Sequence, residues 1–159
     1  MGVEIERKFL VADESWREAV IEAGPMRQGY VSAGRESTVR VRIAGARAWL
    51  TIKGQARGLV RPEFEYDIPV EDAEQIFELL CEGRRLEKVR HLVNYKGHVW
   101  EIDVFEGENE GLTVAEIELD AAHESFERPP WLGREVTGDV RYYNARLVQH
   151  PFRAWTGER

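Results

Sequence analysis

The sequence predicts a fold of the α+β class that is mostly β, with about eight strands and a few helices, a strand number that suits a closed barrel. Two observations predict this class. Apolar and polar residues alternate along most of the chain with the period of two that is typical of strands. Apolar residues at helical spacing occur in only a few segments. The 159 residues also contain no low-complexity segment or long linker, so residues 1–159 are expected to form one domain with a sizeable core.

The first half of the chain alternates almost throughout. Residues 4–11 predict the first strand, and residues 15–23 predict a short helix that ends before the breaker Gly24-Pro25. The next four strands are predicted at MRQGYVSA, STVRVRIAG, RAWLTIKG and RPEFEYDIPV (26–33, 37–45, 47–54 and 61–70). Gly45 between the third and fourth of these five strands favours a hairpin.

The second half of the chain begins with a change of period. Apolar residues recur at helical spacing in residues 71–83, which predicts a helix that stops at Gly83. Further strands are predicted at 85–97, 98–107 and 112–120. Residues 121–131 predict a short helix, and Asp139 is expected to cap a final helix that runs through Leu147.

Strand after strand places fixed charges on one face and apolar residues on the other. Residues i and i+2 of a strand point to the same face, so Glu4, Glu6 and Lys8 share a face. The same arrangement occurs at Arg40 and Arg42, Lys53, Arg61 to Asp67, Lys88 and Arg90, Glu101 and Asp103, and Glu116 and Glu118. One such strand is compatible with an ordinary solvated sheet face. The sorting of acids and bases into separate strands favours instead a polar lumen inside an apolar exterior.

A lumen lined by both signs of charge suits a polyphosphate together with a metal ion. Clustered carboxylates suit hard divalent cations such as Mg²⁺ or Mn²⁺, and arginine and lysine suit phosphoryl oxygens. Neither set of charges is stable when buried without partners. Phosphoryl transfer depends mainly on positioning and on charge stabilisation, so it requires no nucleophilic side chain from this lumen.

The composition limits the expected partners and location. The net charge is −7, so no global basic field would draw the protein to nucleic acid or to an anionic membrane. No apolar run approaches the ~20 residues of a membrane span, and the acidic first residues do not resemble a signal peptide, so a cytoplasmic location is expected. Cys81 is the single cysteine, which excludes an internal disulfide. The sequence leaves a homodimer open.

Several segments resemble, in family order, the successive motifs of the CYTH superfamily, the triphosphate tunnel metalloenzymes. Glu4-x-Glu6-x-Lys8 is similar to the opening motif of that family. The later segments are TVRVRI, LTIKG, RPEFEYDI, EKVRH, WEIDVFEG, VAEIEL and REVTGDVRYYNARL. The resemblance extends over nearly the whole chain. It implies an eight-stranded antiparallel closed β-barrel, a tunnel with a few peripheral helices, in which basic residues hold a linear triphosphate.

The same resemblance implies a metal-dependent hydrolase of triphosphates. EIERKFLV and MRQGYVS are similar to the short bacterial members that act on inorganic tripolyphosphate, so cleavage to diphosphate and phosphate is the leading hypothesis. The alternative is an adenylate cyclase, or a thiamine or nucleoside triphosphatase, of the same fold. A non-catalytic polyphosphate- or nucleotide-binding module is a further alternative, although a pure anion binder gains nothing from clustered carboxylates.

The resemblance also implies roles for individual residues. It assigns catalytic roles to Glu4, Glu6 and Lys8. The expected ligands of Mg²⁺ or Mn²⁺ are Glu4, Glu6, Asp103, Glu116 and Glu118. The expected substrate-binding residues are Lys8, Arg40, Arg42, Lys53, Arg61, Lys88, Arg90 and Arg141. The roles of Glu63, Glu65 and Glu101 stay open. Val140 stands where relatives often have lysine, so the terminal segment departs from the family pattern, and Arg141 or Arg146 is a candidate replacement.

Overall fold

Eight antiparallel strands close into a barrel in the computed structural model, which describes residues 2–157. The strands are β1 (Gly2–Val11), β2 (Val20–Ala33), β3 (Ser37–Ala44), β4 (Arg47–Gly54), β5 (Val60–Ile68), β6 (Arg85–Tyr95), β7 (His98–Phe105) and β8 (Thr113–Glu118). The predicted closed barrel is confirmed. The predicted domain bounds also include residues 1, 158 and 159, which lie outside the described residues.

Short elements surround the barrel. A ninth strand, β9 (Leu132–Glu135), and two helices, α1 (Val70–Leu80) and α2 (Asn144–Leu147), complete the regular structure of the described part of the chain. Turns of 3-10 helix occur at Ser15–Ala19, Gly107–Asn109, Val140–Tyr142 and Phe152–Ala154. Within residues 2–157, no helix has the length and apolar character that crossing a membrane requires.

Strand β1 closes the barrel because it pairs with two different strands. The order around the barrel is β1-β5-β4-β3-β2-β6-β7-β8, and β8 returns to β1. Residues 2–5 of β1 pair with β5, whereas residues 6–10 pair with β8. The free side of the second half of β1 is then taken by β9. The register sets Glu6 opposite Glu118 and Lys8 opposite Glu116, so charges from neighbouring strands meet on the inner face.

Two apolar clusters cover the outer face of the barrel, and a third fills one end of its interior beside the charged residues. Phe9 and Trp100 pack with Trp131 on one side of the barrel. Helix α1 covers β3 and β4 with Ala73 and Phe77. The C-terminal segment packs Tyr142, Leu147, Phe152 and Trp155 against Leu86, Phe105 and Val114, which share a strand face with the cavity-lining residues of β6, β7 and β8 and so close one end of the barrel interior. Burial of these large side chains supplies the main stabilisation of the barrel.

Three local predictions are wrong. The helix predicted at 15–23 is only a 3-10 turn, and β2 runs through Gly24-Pro25 to Ala33. Residues 121–131 form no helix, because an extended backbone brings the Phe126 ring against Phe9 and Trp100. The final helix is divided: Asp139 accepts a hydrogen bond from the Arg141 backbone N–H and begins a 3-10 turn, and α2 follows separately. Tertiary packing overrides local propensity in each case.

Candidate active site

A cavity of about 230 Å³ in the barrel contains most of the residues that the sequence singled out. The predicted site residues that line it are Glu4, Glu6, Lys8, Arg40, Arg42, Lys53, Arg61, Lys88, Arg90, Glu116 and Glu118. Glu63, Glu65 and Glu101, whose roles stayed open, also line it. Asp103 and Arg141 are not part of its lining.

One wall of the cavity is acidic. Strand β1 contributes Glu4 and Glu6, and its neighbour β8 contributes Glu116 and Glu118. Burial, together with the charges of Glu116 and Glu4, raises the pKa of Glu6 well above its ordinary value. Burial and the charge of Glu4 also raise the pKa of Glu118. The positive charge near this part of the wall therefore compensates the four carboxylates only in part.

Two lysines lie among these four acids, and each of them forms an ion pair with one acid. Lys53 Nζ lies 2.9 Å and 3.1 Å from the two carboxylate oxygens of Glu4. Burial raises the pKa of Glu4, but the attraction of Lys53 outweighs it, and the pKa is below its ordinary value. Lys8 Nζ lies 3.5 Å from Glu116, whose pKa falls to about 2 because this attraction outweighs burial. Glu4 and Glu116 are thus compensated by lysines, whereas Glu6 and Glu118 are not.

The opposite wall is basic. Strand β3 contributes Arg40 and Arg42, and these side chains have neutral partners: Arg40 Nη2 donates to Thr51 Oγ1 at 3.1 Å, and Arg42 Nε donates to Gln28 Oε1 at 2.9 Å. Burial, with repulsion from Arg40 and Arg90, lowers the pKa of Arg42 to about 9. Among the residues that the structure describes, Arg40 Nε is buried without a hydrogen-bond partner. The two arginines of β3 therefore have no acidic hydrogen-bond partner among these contacts.

Asp103 lies at the basic wall and not in the cavity lining. Its carboxylate is 1% exposed, 2.7 Å from Lys88 Nζ and 2.8 Å from Arg90 Nε. Burial raises the pKa of Asp103, but Arg90 and Lys88 outweigh it and hold the pKa well below its ordinary value. Burial in turn lowers the pKa of Lys88 to about 7 although Asp103 is adjacent, partly because Arg90 and Arg42 repel it. The structure pairs Asp103 with two cations, so its expected role as a metal ligand stays a prediction.

The segment after β9 reaches the cavity through residues that the sequence reasoning missed. Arg141, expected to bind substrate, has its guanidinium 2.7 Å from Asp139 and lies away from the lining. Its neighbours Tyr143, Asn144 and Ala145 line the cavity instead. The Tyr143 ring centre is 5.4 Å from Lys8 Nζ and 5.7 Å from Arg61 Cζ. The segment was identified by its motif, but no period in the sequence shows which of its side chains point inward.

The acidic wall contains suitable donor atoms for a divalent cation, but the described side chains do not form a complete coordination site. In residues 2–157, no three side chains of histidine, cysteine, aspartate or glutamate converge into a metal-binding cluster. The donors are carboxylate oxygens, the ligands that Mg²⁺ and Mn²⁺ prefer. The raised pKa values of Glu6 and Glu118 show that negative charge there is uncompensated. In donor type and in charge, the residues present fit such a cation.

A closed antiparallel barrel with an acidic and a basic wall defines a class of tunnel-like barrels that can hold an anion and a cation side by side. The CYTH domain family model matches residues 2–150, and the chain belongs to this family. The resemblance inferred from the sequence motifs is therefore confirmed.

Two relatives and one solved structure are similar over nearly the whole chain. An inorganic triphosphatase of Acetivibrio thermocellus is 45% identical over 153 residues, which are 96% of this chain and 97% of the relative. An inorganic triphosphatase of Nitrosomonas europaea is 40% identical, over 91% of this chain and 96% of the relative. A crystal structure of the inorganic triphosphatase NE1496 superposes with a TM-score of 0.66 at 38% identity, covering 93% of this chain and 95% of that one.

Proposed function

We propose that this protein is a hydrolase that cleaves inorganic triphosphate to diphosphate and phosphate with the help of a divalent cation. The observation that supports this most is the separation of uncompensated acids and uncompensated bases on opposite walls of one cavity. The two relatives named inorganic triphosphatase support the same activity, since each is aligned over more than nine-tenths of this chain. Membership of the CYTH family implies dependence on a divalent metal.

The basic wall is the proposed binding surface for the phosphoryl oxygens. Arg40 and Lys88 are buried, Arg42 is half-buried, and all three line the cavity. The arginines have neutral hydrogen-bond partners, so their charge is available to an anion. Charge-assisted hydrogen bonds from arginine to phosphoryl oxygens are short and directional. The same groups would stabilise the charge that develops on the leaving diphosphate.

The acidic wall is the proposed site of the cation, with Glu4, Glu6, Glu116 and Glu118 as its ligands and Mg²⁺ or Mn²⁺ as the ion. When bound, the cation supplies positive charge beside the phosphoryl oxygens and activates water for attack. Lys53 and Lys8 hold Glu4 and Glu116 ionised and in place. Because burial and neighbouring carboxylates raise the pKa values of Glu6 and Glu118, the charges of these two groups would gain most from a bound cation.

The lining of the cavity favours an inorganic substrate over a nucleotide or thiamine triphosphate. Almost all of the lining side chains are charged or hydrogen-bonding. Tyr143 faces Lys8 and Arg61, so its ring is already in contact with cations. A heterocyclic base is usually held by apolar and aromatic surface, and in the described lining Tyr30 and Tyr143 are the only aromatic side chains. The phosphate chain alone accounts for the charges present.

Phosphate release from tripolyphosphate, ATP and thiamine triphosphate tests the proposal. Each substrate is supplied at equal concentration in EDTA, and then with excess Mg²⁺ or Mn²⁺. We expect release from tripolyphosphate to be fastest, to require the added cation and to be absent in EDTA. Faster turnover of ATP or thiamine triphosphate would reassign the substrate. Binding of tripolyphosphate without any turnover would favour a binding module, and full activity in EDTA would exclude the cation chemistry.

A further inference from the structure

Two neutral amides connect the cations of the basic wall to helix α2. Asn144 Oδ1 accepts hydrogen bonds from Lys88 Nζ at 2.8 Å and from Gln28 Nε2 at 3.2 Å. Gln28 Oε1 in turn accepts the bond from Arg42 Nε at 2.9 Å. The result is a continuous chain of hydrogen bonds, Lys88–Asn144–Gln28–Arg42, which is called the amide relay below. It joins side chains from β6, α2, β2 and β3.

The members of the amide relay are held firmly in place. Gln28 is fully buried, and Lys88 is 1% exposed. Gln28 lies opposite Arg42 in the β2–β3 register, so both side chains point to the same inner face. Both hydrogen-bonding ends of the Gln28 amide are used, its oxygen by Arg42 and its nitrogen by Asn144. A buried polar network whose groups are satisfied in this way fixes a single arrangement of its members.

The chemistry of the amide relay matters as much as its geometry. Arg42 and Lys88 are crowded by neighbouring cations, and burial adds to the cost of their charges. Carboxylates at positions 28 and 144 would relieve this cost by forming ion pairs. The chain has amides there instead, which accept the same hydrogen bonds without cancelling the charge. Asp103 pairs with Lys88, but Arg90 shares that carboxylate, so an incoming polyanion meets oriented cations that together keep a net positive charge.

We infer that Asn144 and Gln28 are positioning residues, which orient Lys88 and Arg42 for the triphosphate anion without adding negative charge beside these two side chains. The inference rests on the proposed function, because it assigns these cations to the phosphate chain. The inference adds the requirement that the side chains at positions 28 and 144 be neutral. A carboxylate of the same shape would not replace the amide in tripolyphosphate binding.

Substitution by an isosteric acid separates this role from a structural one. Asn144→Asp keeps the size of the side chain and its acceptor oxygen but adds a negative charge beside Lys88. We expect it to weaken tripolyphosphate binding by at least ~10-fold, about the worth of one charge-assisted hydrogen bond. The melting temperature should stay within about 2 °C of wild type, because the hydrogen bonds to Lys88 and Gln28 remain. Calorimetric titration of tripolyphosphate in EDTA gives the dissociation constant, and differential scanning calorimetry gives the melting temperature.

The chain offers a matched control outside the cavity. Asn109 is 3% exposed, and its Oδ1 accepts a hydrogen bond from the Phe152 backbone N–H. Asn109→Asp is the same isosteric change in a buried acceptor, so it should leave tripolyphosphate binding unaltered. If Asn144→Asp binds tripolyphosphate within about 2-fold of wild type, the relay is merely structural and the inference is overturned. An equal loss in Asn109→Asp would also overturn it, since the effect would then be general.

A double substitution tests whether the two amides act as one unit. Gln28→Ala and Asn144→Ala each interrupt the relay, so their combined effect on binding should be clearly smaller than the sum of the single effects. Additive losses would show two independent contacts and contradict the relay. The binding titration requires no turnover, so it distinguishes failure of this inference from failure of the proposed activity. If wild type binds tripolyphosphate tightly but does not cleave it, the relay is still tested.

Discussion

The acidic and basic walls of the cavity are built from similar strands but are compensated in different ways. On the acidic wall, Lys53 and Lys8 pair directly with Glu4 and Glu116, while Glu6 and Glu118 keep raised pKa values. On the basic wall, Asp103 is shared by two cations, and neutral side chains accept hydrogen bonds from the arginines of β3. Each wall therefore keeps part of its charge uncompensated, with opposite sign.

This difference indicates what each wall can recruit. A wall with excess negative charge binds cations, and a wall with excess positive charge binds anions. Because β3 lies three strands from β1 and four strands from β8 around the barrel, the excess negative charge of β1 and β8 and the excess positive charge of β3 face one cavity. A polyphosphate together with its divalent cation would compensate both walls at once. The predictions below separate the two walls experimentally.

Removal of one uncompensated acid should have the largest effect. Glu6→Gln keeps the shape of the side chain but removes the charge that a cation requires, so turnover of tripolyphosphate should fall by at least ~100-fold, as for loss of one strong transition-state contact. Binding of tripolyphosphate in EDTA should persist or tighten, because repulsion between carboxylate and phosphate decreases. Steady-state kinetics and calorimetric titration measure the two quantities. Glu22→Gln, an exposed acid on β2, should match wild type in both.

Removal of one uncompensated base should affect binding more than turnover. Arg42→Ala deletes a cation of the cavity lining, and we expect KM for tripolyphosphate to rise roughly 10- to 100-fold, the range for losing a hydrogen bond to a charged group. The response to added Mg²⁺ should remain, since the acidic wall is unchanged. Arg47→Ala is the control, because Arg47 pairs with Asp67 at the exposed surface. A loss of kcat without a change in KM would contradict the assignment of the basic wall to ground-state binding.

Ligands should stabilise the fold through the wall that they occupy. Tripolyphosphate at ~100 times its dissociation constant adds roughly 2.7 kcal/mol to the free energy of unfolding. Differential scanning calorimetry should therefore show a clear rise in melting temperature with tripolyphosphate in EDTA. Glu6→Gln should keep that rise and lose any rise produced by Mg²⁺ alone. No shift at saturating tripolyphosphate would exclude an internal anion site.

The smallest expected effect is a pH dependence of stability that arises at the acidic wall. Burial and the charge of Glu4 raise the pKa of Glu63 from 4.5 to about 7. The folded protein therefore binds this proton more tightly than the unfolded chain, so the stabilisation is fully present below about pH 4.5 and is lost as the pH rises through 7. In EDTA, the melting temperature should fall between pH 5 and 7 by this contribution.

Two variants isolate the contribution of Glu63. Glu63→Gln cannot release the proton, so its melting temperature should depend less on pH over the same interval. Glu108→Gln changes an exposed acid in the turn after β7 and should follow the wild-type profile. Melting temperatures measured at closely spaced pH values compare the three proteins. Identical slopes for Glu63→Gln and wild type would show that other groups cause the dependence.

The strand pattern and the sorting of charges could be predicted from the sequence. Alternation with a period of two is a property of neighbouring residues, so it showed which residues share a face, and the motifs indicated the CYTH family. The closed barrel and the family are confirmed. The expectations of a single domain over residues 1–159, a cytoplasmic location, no nucleic-acid or membrane partner, and an open oligomeric state stay predictions.

The tertiary structure decided which charges are compensated and which segments complete the cavity. Glu4 and Glu6 look equivalent in sequence, yet Lys53 from β4 reaches only Glu4. Asp103 has the sequence spacing of an inward-facing metal ligand, but its carboxylate forms ion pairs with Lys88 and Arg90. Pairing of this kind depends on strands distant in sequence, so local patterns contain no information about it. The same holds for Asn144, which enters the cavity from a short helix without periodicity and meets Gln28 from a strand that lies 116 residues earlier.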